Sequence, residues 1–156
     1  MKSDNLKIHY LADVMSNDIG ENTSIWQFTV VMKGAKIGSN CNIGAHVFIE
    51  DKAIIGNMVT IKNGVQIWNH IIIGDGVFIG PNVTFTNDLF PVSNREDKSN
   101  KEYPTTIIGD GASIGGGAVI LPGINIGADA IIGAGAVVAD DVSKGSKVIG
   151  PKAKKI

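Results

Sequence analysis

The chain reads as an all-β protein, a parallel β-helix built from hexads, and three observations carry that reading. From Ile19 to Phe85 every sixth residue is apolar, and ten of these twelve are isoleucine. The residue that follows is often glycine, as at Gly20, Gly38, Gly44, Gly56, Gly74 and Gly80, and the residue four places on is mostly small or β-branched. After a polar stretch the period returns, at Ile108, Ile114, Ile120, Ile126, Ile132 and Val138. A strict period of six is neither helical nor that of an alternating strand. One short strand and one turn per hexad produce it.

In chain order, residues 1–18 are polar, with a weak apolar alternation around Leu6, Ile8 and Tyr10, and are expected to cap the first coil. A solenoid end needs a cap because its strand edges are unpaired. Residues 19–143 form the coil itself. Phe85 and Ile108 lie 23 residues apart, one short of a multiple of six, so residues 86–107 are expected to leave the coil as one extruded loop. That loop contains Pro91, Pro104 and the chain's single arginine, Arg95. Functional residues collect on loops held by rigid scaffolds, which makes Arg95 a candidate substrate contact. Residues 144–156 form a tail carrying Lys144, Lys147, Lys152, Lys154 and Lys155. It is either a solvated terminus or a cationic end for a phosphorylated ligand.

At 156 residues the chain is one domain, and a formal net charge of -1 argues against a nucleic-acid binder. Cys41 is the one cysteine and stands at a small inward position, so no disulfide forms within the chain. The amino terminus lacks a signal peptide's apolar region and no apolar run is long enough to span a membrane, so a cytoplasmic protein with no membrane partner is expected. The histidines are His9, His46 and His70; the last two are 24 residues apart and fall on different corners, so no metal is expected. Trp26 and Trp68 stand where glycine usually stands, pointing outward. Each is expected to pack against a neighbouring subunit, the loop or a ligand ring.

Such hexads resemble those of left-handed β-helices, in which three hexads make a triangular turn of roughly eighteen residues. Residues eighteen apart then stack on one corner at the strand spacing of about 4.8 Å. One corner would carry Asp51-Lys52, Asn69-His70 and Asn87-Asp88 on successive turns. A histidine held there by a carboxylate can act as a general base; the plainer account is that corners are polar because they face water. Gly116 and Ala134 share another corner. With Gly117 they could expose backbone amides to a narrow ligand, or simply serve tight turns. The flat outer faces of a prism are expected to associate as a threefold homo-oligomer. The threonines form no sustained ladder of the kind a structural solenoid would show.

The hexads, the mid-chain loop and the terminal Val148-Ile149-Gly150-Pro151-Lys152-Ala153 resemble the hexapeptide acyltransferases. Within them, Gly64-Val65-Gln66-Ile67-Trp68 and the run from Val77 to Asp88 are similar to the nucleotide-sugar 3-N-acetyltransferases, as is Ile25-Trp26-Gln27-Phe28. The resemblance implies transfer of an acetyl group from acetyl-CoA to the 3-amino group of a dTDP-linked 3-amino-3,6-dideoxyhexose for surface polysaccharide. Other acceptors remain open: a UDP-linked 3-amino sugar, a 4-amino sugar or an amino acid. It also implies a homotrimer with substrates in a cleft between two subunits. Asn87 would hold the sugar amine, with Asp88 and His70 beside it; Trp68, Asn69, Phe85 and Arg95 would contact the sugar nucleotide; Gly116, Gly117, Ala134 and Lys152 would bind acetyl-CoA. Where the family often has Trp-Asp-Gly, this chain has Trp68-Asn69-His70.

Overall fold

A computed structural model describes residues 5–93 and 102–155. The chain is a left-handed parallel β-helix of about 7 turns. Its strands are mostly two residues long and stack into three parallel sheets of eight, seven and five strands. The first face runs from Lys7–Ile8 through Ser24–Ile25 to Lys147–Val148, the second from Asp13–Val14 to Val137–Val138, and the third from Lys36–Ile37 to Asn125–Ile126.

The register gives the coil length. Ile25 pairs with Ile43, Ile43 with Ile61 and Ile61 with Ile79, each eighteen residues on. Ladder pairing already begins at Lys7 and Asp13, and reaches Val148. The jump from Ile79 to Ile114 is 35 residues, so the extruded segment adds seventeen to one coil. It is narrower than the phase break suggests. Thr86 still donates its N–H to the Ile120 carbonyl (3.1 Å), and Thr106–Ile108 is a strand paired with Ile71–Ile73. Thr106 is fully buried beneath Ile71, a polar residue in an inward place, and an apolar period cannot register it.

Inside, the aliphatic residues of the hexads are sealed almost completely from solvent, and the small residues between them, including Ala53, Val65 and Ala118, are equally buried. Each fully buried isoleucine contributes about 1.5–3 kcal/mol. Inward hydroxyls are satisfied locally: Thr23 Oγ1 donates to the Gly38 carbonyl (2.8 Å) and accepts the Cys41 N–H (3.0 Å). Burial pushes the Cys41 thiol above its ordinary pKa.

The three corners differ in what covers them. At the corner joining the third face to the first, side-chain oxygens from one coil cap backbone N–H groups of the coil before it. Asn57 Oδ1 accepts from Ser39 N–H (2.9 Å), Asp75 Oδ1 from Asn57 (2.7 Å) and Asp110 Oδ1 from Asp75 (2.9 Å). Buried or half-buried amides need such partners. The corner between the first and second faces, the first corner, starts the same way, with Asn63 Oδ1 on Ala45 N–H (3.1 Å), and then stops.

Candidate functional site

Two constellations stand out, on two different corners. The second corner, between the second and third faces, collects the polar residues. Glu50 Oε2 accepts from Asn69 N–H (2.7 Å), and Asn69 Oδ1 in turn accepts from Lys52 N–H (2.8 Å). Asp51 Oδ1 caps Gly34 N–H (3.0 Å). Three successive coils are thus tied together by side chains at one edge. Asn69, His70, Asn87 and Asp88 are all half-buried there.

His70 has a left-handed backbone (φ 66°), a conformation that histidine adopts several-fold more readily than most residues. Its carbonyl accepts the Thr106 N–H (3.0 Å), which anchors the returning end of the loop. Its ring lies against Tyr103, with centroids 6.3 Å apart and planes 26° from parallel. Asp88 Oδ1 accepts the Phe90 N–H (2.9 Å), closing a turn as the chain leaves the coil. The second corner therefore carries a carboxamide, a carboxylate and an imidazole at the root of the loop, with the returning Thr106 end stacked beneath His70.

Trp68 is only half exposed. It packs on the core, its Nε1–H donates to the Phe85 carbonyl (2.9 Å), and its ring meets Phe48 at 5.6 Å. Phe85, expected among the sugar contacts, points into the coil and is 2% exposed. Its side chain belongs to the aliphatic column, and its carbonyl serves Trp68. Arg95 lies outside the described residues. Glu50 and Tyr103 are not among the candidate site residues read from sequence. Glu50 sits in an ordinary hexad, and Tyr103 reaches His70 only because the loop folds back.

The second constellation is the lower first corner. Pro81, Gly116 and Ala134 stack there: Gly117 N–H donates to the Pro81 carbonyl (2.9 Å) and Gly135 N–H to the Gly116 carbonyl (3.0 Å). The coil below has no side-chain oxygen to cap these turns. The N–H groups of Gly116 and Ala134 have no acceptor among the described residues. Gly117 and Gly135 adopt left-handed φ values of 67° and 69°, and open space surrounds both. Ile149 and Gly150 pass directly beneath Gly133 and Ala136. Gly116, Gly117 and Ala134 thus share one edge, and Lys152 follows two residues after Gly150 as exposed chain. Among the described residues no three His, Cys, Asp or Glu side chains group as a metal site would require, and no helix is long and apolar enough to cross a membrane.

The hexads at residues 18–51, 52–87 and 105–140 match the family described as bacterial transferase hexapeptide (six repeats), more than half of the chain. The chain belongs to this family. No curated protein sequence matches it. Among solved structures it is similar to the acetyltransferase domain of PglB from Neisseria gonorrhoeae in complex with acetyl coenzyme A (23% identity, TM-score 0.57, 97% of this chain and 58% of that one). It is also similar to PerB from Caulobacter crescentus in complex with CoA and GDP-perosamine (20%, TM-score 0.56, 94% and 52%). A third is LpxA, a UDP-N-acetylglucosamine acyltransferase from Bacteroides fragilis (23%, TM-score 0.71, 88% and 55%). The chain spans little more than half the length of each. At these identities the likeness is one of fold.

Proposed function

We propose that this hexapeptide-family chain transfers the acetyl group of acetyl-CoA to the amino group of a nucleotide-linked sugar, a dTDP-linked 3-amino-3,6-dideoxyhexose being the acceptor the sequence resembles most. The observation that carries the donor half is the strip of uncapped N–H groups at Gly116 and Ala134, with the lysine-bearing tail leaving the coil just below it at Gly150. Backbone amides left without acceptors are costly unless water or a ligand takes them. An extended chain with amide carbonyls, such as the pantetheine arm, matches them. Lys152 then meets the phosphates at its far end. The fold shared with proteins solved with acetyl coenzyme A or with CoA and GDP-perosamine supports the reading.

The acceptor half rests on the second corner. Asn87 can both donate and accept, so its carboxamide is assigned to holding the sugar amine. The neutral amine attacks the thioester carbon, the N–C bond forms as the C–S bond breaks, and the ammonium proton leaves to a base or to the departing thiolate. His70, whose ring lies against Tyr103, is assigned to take that proton. Holding both reactants in line supplies much of the rate without strong acid–base help.

The two corners are separated by the second face, four residues from Asn82 to Thr86, or roughly 13 Å of extended chain. A donor on the first corner cannot reach Asn87 of the same subunit. The reading therefore places the reaction between the first corner of one copy and the second corner of the next, within a homotrimer. It is tested by presenting acetyl-CoA with a panel of dTDP- and UDP-linked 3- and 4-amino sugars and locating the acetylated nitrogen. Acetyl-CoA consumption with none of them would sink it.

A further inference from the structure

The upper half of the first corner differs from the lower. From Phe28 onward the last residue of this turn is left-handed in each coil, and downstream it is Gly64, Asn82, Gly117 or Gly135. At the head of that series it is Phe28 (φ 59°) and then His46 (φ 56°). Histidine tolerates this region, but a phenylalanine there is an outlier, and such outliers cluster at functional sites. The two rings stack on each other, with centroids 4.9 Å apart and planes 27° from parallel. Two residues before Phe28, Trp26 is 49% exposed, and its Nε1–H is held by Asn42 Oδ1 at 2.8 Å. Two flat surfaces are thus fixed in orientation and left facing outward.

Between Trp26 and Lys62 lies a groove of about 340 Å³. It is open because Gly44 stands between them, and a Cβ there would collide with Asn63. Its rim is polar. The backbone N–H groups of Gln27 and Asn63 have no acceptor among the described residues, and the Gln27 carboxamide makes no bond there. The groove itself is lined by the Trp26 indole, with the Phe28–His46 stack next on the same turn; a ring face, a carboxamide with adjacent donor and acceptor, and a cation at the far end form a combination with one natural complement. Stacking takes the face of a base, the amides take its edge, and the ammonium takes phosphate.

We propose that this groove binds the base and diphosphate of a nucleoside diphosphate, the one carried by the acceptor sugar. The assignment rests on the acceptor being nucleotide-linked, and it adds where the nucleotide is held. Trp26 is six coils from Ile149, roughly 29 Å along the prism, and the uncapped amides fill the lower part of that length. A donor whose phosphates lie at Lys152 leaves the aromatic end to the other substrate.

The test is calorimetric titration of the intact chain with UDP, dTDP, adenosine 3′,5′-bisphosphate and CoA, repeated on Phe28→Gly, Trp26→Leu and Lys62→Ala. Glycine suits the left-handed position, so Phe28→Gly removes the ring while keeping the turn. The expected result is at least tenfold weaker binding of UDP or dTDP in Phe28→Gly and Trp26→Leu, with CoA binding within twofold of the parent. No nucleoside diphosphate binding by the parent, or unchanged binding in both aromatic variants, overturns the proposal. So does a loss confined to adenosine 3′,5′-bisphosphate and CoA, which would assign the groove to the donor. A fall in solution mass in these variants would instead make the patch an interface between copies, and would also overturn it. Transfer is assayed separately: a chain that binds UDP or dTDP as expected yet acetylates no amino sugar refutes the transferase reading and leaves the groove standing.

Discussion

Asn87 and His70 occupy one corner but rest on different arguments. Asn87 lies in the segment that resembles the sugar N-acetyltransferases; His70 stands where that pattern is broken. If positioning dominates, Asn87→Ala lowers kcat/KM more than His70→Asn does, because acid–base help contributes its 10²–10⁴-fold only when it is used. Steady-state kinetics of the two variants decide it; a hundredfold loss in His70→Asn with near-normal Asn87→Ala would make the imidazole the general base. Cys41 gives a second prediction at this scale. Burial raises its thiol pKa in the folded chain. Its contribution to stability is therefore complete below the unfolded thiol's pKa and is lost as pH climbs toward the folded value. Denaturant titrations of Cys41→Ser and parent across the alkaline range should show the parent losing more stability with rising pH. Equal slopes would count against this.

Among the elements, the corner turns separate what the coil needs from what a ligand needs. A side chain on Gly115 would drive into the Ala134 backbone, so Gly115→Ala forces two coils apart. Overpacking of this kind costs about 1–3 kcal/mol, and its mark is a lowered Tm. Ala134 is exposed at the same corner and its N–H points to no acceptor. Ala134→Leu should leave Tm within a degree or two and raise the KM for acetyl-CoA about tenfold or more, as one or two lost contacts would. A parent-like KM would remove the bare strip from the donor site. The loop follows the same logic: its ends are set by coil hydrogen bonds at Thr86 and Thr106, so the root carrying Asn87, Asp88 and Tyr103 is held by the solenoid.

For the molecule as a whole, the separation of the two corners makes a sharp demand. Light scattering should give the mass of a trimer at micromolar concentration. Asn87→Ala and Ala134→Leu, each inactive or weak alone, should complement each other after the two are unfolded together and refolded. In a random mixture one site in four pairs an intact Asn87 with an intact Ala134, so roughly a quarter of the parent rate is expected. Absence of any recovery, with mixed trimers demonstrated, would mean that one subunit supplies both halves.

The sequence by itself determined the coil. An isoleucine every sixth residue leaves one way to bury them all, because each hexad turns the chain by one face and the next must do the same. It also named the residues of both corners, since equal coil lengths make stacking a matter of counting. Counting could not say which side chains those corners leave free. Phe85 looks like a site residue beside Asn87, yet its parity turns it inward, and Glu50 and Tyr103 join the second corner through a cross-coil bond and a returning loop. The uncapped amides of Gly116 and Ala134 belong to the same class. Their freedom depends on what the coil below lacks, and only the stacked structure brings that coil beneath them.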